Sequence, residues 1–432
     1  MNLYEAEYQS KRVTIEEALD SLKDGDVIGT SQCANEPTAF FDAIDHLRSS
    51  GKHFRMFAPM CFSPHRFLSD PIYQNTFDMD ITFLMGATRK GREQGLLSYY
   101  PGDLHNGASR WIEVNGCNVF IAAATPMDRH GYFMIPLCLI HEKTFLEAAD
   151  RVILQVNPNL PRIYGDTEVH IRNVDMIVEA ETPLPYLPVS TPNELEMTIG
   201  NYVASLVNDG DCIQLGIGSM PNAVGHHLMD KKDLGLHTEM FTSIMGDMIR
   251  KGVITGARKN YNKGLHIGCF AGGDLALYET LSTNPAVRLC PTSVAVDPGE
   301  ICKNDNMVSI NTIIEMDITG QVCSESIGPK QFSGTGGAFC FAYGALHSKG
   351  GKGILAFQAS TKKGVSKISS QLKPGAVVSI PRNYVDYVVT EYGIAHLRGR
   401  SVKERVLQLI SIAHPDVREE LRRYAKEQFM IV

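Results

Sequence analysis

The chain has 432 residues, 44% of them hydrophobic and 21% charged, with 38 glycines. This is ordinary globular composition, long enough for two or three domains. A formal net charge of −7 excludes a sequence-independent grip on nucleic acid, which needs a broad basic surface, but leaves room for a phosphorylated small molecule held by a few lysines and backbone N–H groups.

The N-terminus, Met1-Asn2-Leu3-Tyr4-Glu5-Ala6-Glu7-Tyr8, has neither the basic start nor the apolar core of a secretory signal. The longest apolar run near the middle, Val119 to Ala124, is far short of a membrane span. A cytoplasmic protein with no membrane partner is therefore expected. Ten cysteines are scattered from Cys33 to Cys340 without a Cys-x-x-Cys pair, which reads as buried reduced thiols. With no His-Glu-x-x-His or Cys/His cluster, no metal is expected. His226-His227 reads as part of a surface helix.

In chain order, Ile15, Ala18, Leu19 and Leu22 recur at helical spacing over Val13–Leu22. Asp24-Gly25-Asp26 then turns the chain into a short strand, Val27–Thr30, and a loop from Ser31 to Pro37 leads into a helix from Thr38. The same order recurs: Ser205-Leu206, Asp209-Gly210-Asp211, a strand, a glycine-rich loop and Pro221. A pattern that occurs twice predicts two similar open α/β domains rather than a solenoid. Their active site is expected in the cleft between them. Four prolines between Glu181 and Pro192 mark the linker, giving domains 1–185 and 186–432.

Within the first half, Asn118–Ala124 and Arg151–Val156 read as buried strands. Pro126 to Phe133 reads as a polar turn in which His130 is held by local hydrogen bonds. In the second half, Met307–Ile314 and Val385–Thr390 read as strands, and Ser401–Ala413 as an amphipathic helix with Val402, Val406, Leu409 and Ile410 on its apolar stripe.

Two glycine loops flank the candidate chemistry: Gln214-Leu215-Gly216-Ile217-Gly218-Ser219-Met220-Pro221 and Gln331-Phe332-Ser333-Gly334-Thr335-Gly336-Gly337-Ala338. Glycines let backbone N–H groups approach a ligand closely. Between them, Leu234-Gly235-Leu236-His237-Thr238-Glu239 is an apolar run ending in a carboxylate. Ligands of open α/β sheets bind at the carboxyl ends of strands, so Glu239 can act there as nucleophile or proton carrier, or simply open the next helix with a charge that suits its dipole. There is no Gly-x-Ser-x-Gly elbow and no P-loop, and Gly216-Ile217-Gly218 lacks the third glycine of the dinucleotide fingerprint.

These segments, with Asp317-Ile318-Thr319-Gly320-Gln321-Val322, Ser326 to Gly337, Tyr387 to Ala395, Pro126 to Gly131 and Tyr164-Gly165-Asp166, resemble the acetyl-CoA hydrolase/transferase family of class I CoA-transferases. Within that family the chain is similar to the 4-hydroxybutyrate and butyryl CoA-transferases. The resemblance spans essentially the whole chain. It implies an enzyme that moves CoA between short-chain acids, acetyl-CoA with 4-hydroxybutyrate or butyrate, by a ping-pong route through a glutamyl-CoA thioester. Glu239 matches the nucleophile. Backbone donors are implied in the Gly216, Ile217, Gly218, Ser219, Met220 turn and at Gly337, and CoA contacts in those segments with Gly336, Ser333 and Lys363, Lys362 being the alternative lysine. Coenzyme A is then a substrate, with no permanently bound cofactor, and the enzyme is expected to be a homo-oligomer (dimer). Gln32 stands where the 4-hydroxybutyrate enzymes carry His, which makes it the substrate-side candidate. Glu391, also at a strand end, competes with Glu239. The alternatives on the same scaffold are an acyl-CoA hydrolase and a noncatalytic CoA sensor.

Overall fold

A computed structural model describes residues 4–431. The chain forms two compact units, one of residues 1–188 with 267–295, the other of residues 189–266 with 296–432. The extended proline segment after Glu179 carries the chain from the first to the second, and the stretch 267–295 belongs to the first.

The first unit is built on seven strands: β1 (Val27–Thr30), β2 (Phe54–Phe57), β3 (Phe77–Ile81), β4 (Leu97–Tyr99), β5 (Val119–Ala124), β6 (Arg151–Val156) and β7 (Met176–Glu179). They hydrogen-bond in the order β4-β3-β2-β1-β5-β6-β7, and every pairing is parallel. A parallel sheet must be covered on both faces, and β5 shows it. Val119 and Ile121 enter one apolar core while Phe120, Ala122 and Ala124 enter the other. Helix α1 (Ile15–Asp20) starts at a capping box made by Thr14 and Glu17, α2 spans Thr38–Asp42 and α3 Glu142–Ala148. A Cβ on Gly29 would lie 2.4 Å from the Phe145 ring, so the missing side chain is what lets α3 lie against β1.

The second unit repeats the plan. Its strands β8 (Cys212–Leu215), β9 (Gly235–His237), β10 (Met307–Asn311), β11 (Lys352–Ala356), β12 (Tyr387–Thr390) and β13 (Gly393–His396) run in the order β9-β8-β10-β11-β12-β13. All neighbours named here are parallel except the β12–β13 pair. The sequence repeat has a physical counterpart in the turns before β1 and β8. Gly25 and Gly210 have φ of +81° and +84°, which favours glycine. The following aspartates each accept a backbone N–H at 2.8 Å, Asp26 from Lys23 and Asp211 from Asn208. In both sheets the first strand has later strands on either side, so its carboxyl end is the switch point where α/β ligand sites form.

Helices α4 (Glu194–Ser205), α5 (Ser219–His227), α6 (Ala338–His347) and α7 (Val402–Ile412) complete what the site requires. Ser401 and Glu404 form a capping box for α7. Its buried face carries Val406, Leu409, Ile410 and Ile412, while Val402, expected on the apolar stripe, is 37% exposed. Val402 is the first helical residue, and the stripe only turns inward one turn later. His130 is exposed in a turn whose Asp128 carboxylate accepts from the His130 and Tyr132 amides. Among the described residues no helix is long and apolar enough to cross a membrane.

The register of α7 is testable. Leu409→Ala should cost about 2–5 kcal/mol, whereas Val402→Ala should stay within about 0.5 kcal/mol of the parent. Thermal and denaturant unfolding of the two variants check it; equal losses would mean that Val402 is packed.

Candidate active site

Strand β9 leads to the centre of the site. Gly235, Leu236 and His237 are all buried, and Gly235 has no room for a Cβ, which would sit 2.6 Å from Lys259 Cγ. Lys259 is itself buried, its ammonium donating to the Leu236 carbonyl at 3.2 Å and the Leu265 carbonyl at 2.9 Å. The strand is thus held from below, and two residues past its end the chain presents Glu239.

The Gly337 N–H donates to Glu239 Oε2 at 2.7 Å. Gly337 is the N-cap of the ten-residue helix α6, so the carboxylate faces a helix start, where backbone N–H groups and the dipole favour an anion. Burial acts against this and is larger. Desolvation pushes the Glu239 carboxyl up to about 7, with the Gly337 hydrogen bond pulling the other way. The residue as a whole is half-buried, and its carboxyl is enclosed closely enough to be held near neutrality.

The two glycines of the second loop are there for different reasons. Gly336 has φ +52°, a left-handed conformation. Gly337 has φ −90°, which any residue adopts, but its Cβ would lie 2.3 Å from Glu239 Oε2 and 3.0 Å from Val296 Cγ1. Space, not backbone, demands glycine at 337. Ser333 is half-buried and its hydroxyl is spent within the loop, on the Gly334 carbonyl at 3.2 Å and the Ser324 carbonyl at 3.4 Å.

The first glycine loop leaves β8 at the switch point. Gly218, with φ +106°, caps α5, so the N–H groups of that first turn point outward. A Cβ on Gly216 would meet only ordinary contacts, the nearest at 3.6 Å, so neither space nor backbone requires that glycine. Ser219 donates to Glu196 Oε1 at 2.6 Å, while the other Glu196 oxygen accepts the Asn193 amide that starts α4. Beneath the loop, Gln214 and Asn311 exchange two side-chain hydrogen bonds of 3.1 Å.

Three strand ends open into one cavity of about 600 Å³. Ile217 to Met220 contribute after β8, Thr312 and Ile313 after β10, and Phe357 to Lys362 after β11, omitting Ala359. Lys362 and Lys367 line it; Lys363 is exposed and does not. Lys367 is half-buried, and desolvation holds its ammonium below the ordinary lysine range against the pull of Glu391 and Glu196. The sequence reading missed Lys367, because a lysine four and five residues from two others carries no signal of its own. Glu391 accepts the Ala359 amide at 2.8 Å, which fixes the loop forming one wall. Neither Ser333, Gly336 nor Gly337 lines this cavity.

Gln32 lies in the first unit, at the end of β1. It is 4% exposed; its side-chain oxygen accepts the Met60 amide at 3.0 Å and its own amide donates to Glu142 Oε1 at 3.1 Å. Glu142, which the sequence did not single out, is fully buried, and desolvation pushes its carboxyl up to about 6 against hydrogen bonds that include those from the His141 and Gln32 amides.

Two family models match this chain, the acetyl-CoA hydrolase/transferase N-terminal domain over residues 1–188 and the C-terminal domain over residues 273–425. A succinyl-CoA:cyclohexane-1-carboxylate CoA transferase from Geobacter metallireducens is 37% identical, covering 98% of this chain and 97% of its own. A 4-hydroxybutyrate coenzyme A transferase from Clostridium kluyveri is 36% identical over 99% of this chain and all of its own. The crystal structure of RipA from Yersinia pestis superposes with a TM-score of 0.91 at 34% identity, covering 99% of both chains. The chain belongs to the acetyl-CoA hydrolase/transferase family.

The raised Glu239 carboxyl has a stability consequence with a definite sign. The folded protein holds a proton there between the ordinary glutamate value and about 7, while the unfolded chain has released it. Wild-type stability therefore falls as pH rises through that window. Glu239→Gln lacks this loss, so its melting temperature relative to wild type should climb between pH 5 and 8, by the equivalent of about 2–3 kcal/mol. A difference independent of pH would show an unperturbed carboxyl.

Proposed function

We propose that this member of the acetyl-CoA hydrolase/transferase family transfers CoA between short-chain carboxylic acids, with Glu239 as the nucleophile. The observation that carries the reading is the Glu239 carboxyl itself, desolvated on a half-buried residue and held by the Gly337 N–H at a helix start. A carboxylate stripped of water is a stronger nucleophile than one in solution, and a fixed donor beside it needs no reorganisation when charge moves.

In the proposed sequence, a Glu239 oxygen attacks the thioester carbonyl of an acyl-CoA. The tetrahedral intermediate expels CoA thiolate and leaves a mixed acyl-glutamyl anhydride. The thiolate then attacks the glutamyl carbonyl, releasing the first acid as its carboxylate and forming the glutamyl-CoA thioester. An acceptor carboxylate attacks that thioester, thiolate leaves and returns to the acceptor's acyl carbon, and the Glu239 carboxylate is regenerated. Placement of the reacting groups can supply roughly 7–11 kcal/mol. The Gly337 N–H lies where an oxyanion forms on the glutamyl carbon, a role worth about 3–4 kcal/mol.

The 600 Å³ cavity supplies what the polar end of CoA requires. The Gly216–Met220 turn offers N–H groups at the start of α5, and Lys367 and Lys362 offer positive charge to phosphate. Of the lysines, Lys367 is favoured over the expected Lys363, because a desolvated ammonium inside the cavity gains more from an anion than an exposed one. Gly336 and Ser333 are assigned to the nucleophile loop, where they shape the path of the Gly337 amide. Within the first unit, Gln32 has its side-chain oxygen committed to Met60, which leaves its side-chain N–H₂ to donate to a polar group without titrating. 4-Hydroxybutyrate and butyrate are the proposed acceptors, with acetyl-CoA as donor.

Incubation with acetyl-CoA and no acceptor should load the chain with CoA. Hydroxylamine should convert the thioester to a hydroxamate on the tryptic peptide Asp233–Arg250, in which Glu239 is the only glutamate. Label on the peptide bearing Glu391 would move the nucleophile there. With an acceptor panel, acceptor-dependent acyl-CoA formation supports transfer; acceptor-independent thiol release would mark a hydrolase, and binding without turnover a sensor. Glu239→Gln should lose both labelling and transfer, and kcat/KM should rise with pH to a plateau above about 7, as the carboxyl ionises.

Backbone donation is tested separately. Gly337→Ala should lower kcat by about 10²–10³-fold, while Ser219→Ala, whose hydroxyl is bound to Glu196, should change it less than about tenfold. Equal losses would give the role to the hydroxyl.

A further inference from the structure

Outside the site described above, the carboxyl ends of β1 and β2 in the first unit bring together a glutamate, a cysteine and a histidine. Glu36 lies in the loop after β1, Cys61 in the loop after β2, and His65 caps the short 3₁₀ turn Arg66–Leu68 that follows. The two loops are zipped together by a bridge between Cys33 and Cys61, with the Cys33 amide donating to the Met60 carbonyl at 2.7 Å. One carboxylate oxygen of Glu36, one nitrogen of His65 and the Cys61 sulfur all lie within 4.8 Å of one another.

Two of these atoms are poorly partnered despite full burial. Glu36 Oε1 accepts the Ser63 amide at 3.2 Å, while Oε2 and His65 Nε2 have no conventional hydrogen-bond partner, the Cys61 thiol lying within reach of the carboxylate. The residues are 3% and 6% exposed. Burying polar atoms without partners costs about 1–3 kcal/mol each. The two face each other at 3.5 Å. That is too long for a charge-assisted hydrogen bond, which closes to roughly 2.7–2.9 Å. It is the spacing of two ligands on one tetrahedral ion, since donors at about 2.0–2.2 Å from zinc sit roughly 3.3–3.6 Å apart.

The geometry points to a divalent metal site of the zinc class, ligated by Glu36 Oε2, Cys61 Sγ and His65 Nε2, with water in the fourth position. The charges close: a dication with one thiolate and one carboxylate is neutral, which a buried site demands. His65 Nδ1 lies 3.7 Å from Asp42 Oδ1, beyond hydrogen-bond length, and the Phe41 ring packs edge-on against the imidazole. The sequence gives little sign of this: Cys61 and His65 stand four residues apart in one loop, but the third ligand comes from a different loop and only the fold brings it to them.

The test uses the full chain, stripped with a chelator and titrated with Co²⁺, then with Zn²⁺. Expected is one equivalent bound per chain, a thiolate-to-cobalt charge-transfer band that zinc abolishes by displacement, and a rise in melting temperature with zinc. Cys61→Ser should lose the band. Cys302→Ser, a half-exposed cysteine elsewhere, should leave the band unchanged. Should Cys61→Ser fail to fold, Glu36→Gln and His65→Gln each remove a ligand, and either should lower cobalt affinity at least tenfold. Failure of the wild type to bind cobalt or zinc stoichiometrically, or a band that persists in Cys61→Ser, would overturn the assignment and leave the triad a metal-free polar cluster.

Discussion

The hydrogen bond from the Gly337 amide to the Glu239 carboxylate is the constraint on which the rest of the second unit turns. It joins the end of β9 to the start of α6, segments 98 residues apart in sequence. Its 2.7 Å length is possible only because residue 337 has no side chain. A single methyl group there would occupy the place of the carboxylate oxygen. The glycine loop is therefore read best as clearance for one side chain, with the neighbouring Gly336 supplying the backbone turn that aims the amide.

Around that contact the electrostatics set opposing effects against one another, with burial the larger. A helix start and an N–H donor favour the anion, while enclosure disfavours it, and enclosure wins far enough to bring the carboxyl to about 7. Lys367 shows the converse, an ammonium that burial pushes toward neutrality while nearby carboxylates resist. Both are charges kept under-solvated, a state that costs stability in the free protein and is relieved when an oppositely charged or reacting group arrives. Glu196 and Glu391, by contrast, are tied to backbone or hydroxyl donors and serve the walls.

The parallel sheets explain why such groups collect where they do. In each unit the first strand is central, and the loops leaving it and its neighbours converge at one edge. In the second unit these loops enclose the cavity. In the first they carry Gln32 and the Glu36–Cys61–His65 triad. The repeated Asp-Gly-Asp turn sets up both edges in the same way, by feeding the chain into the first strand with the same aspartate-to-backbone hydrogen bond.

Much of this was legible in the residues. Hydrophobic runs located β1, β5, β6, β10 and β12 to within a few positions, because buried parallel strands are continuously apolar, and the internal repeat announced two α/β units. Family motifs pointed to Glu239, Gly337 and both glycine loops, and the fold brings the Gly337 amide onto the Glu239 carboxylate. What the sequence could not decide are matters of distance. That Lys367 lines the cavity while Lys363 does not, that Gly337 is required by space and Gly336 by backbone, that Glu142 lies behind Gln32, and that Glu36, Cys61 and His65 share one buried point all depend on how separate loops meet at a sheet edge. Local patterns report local periodicity and turn chemistry. The desolvation and close approach that set reactivity arise between segments tens of residues apart, and only the packed chain fixes them.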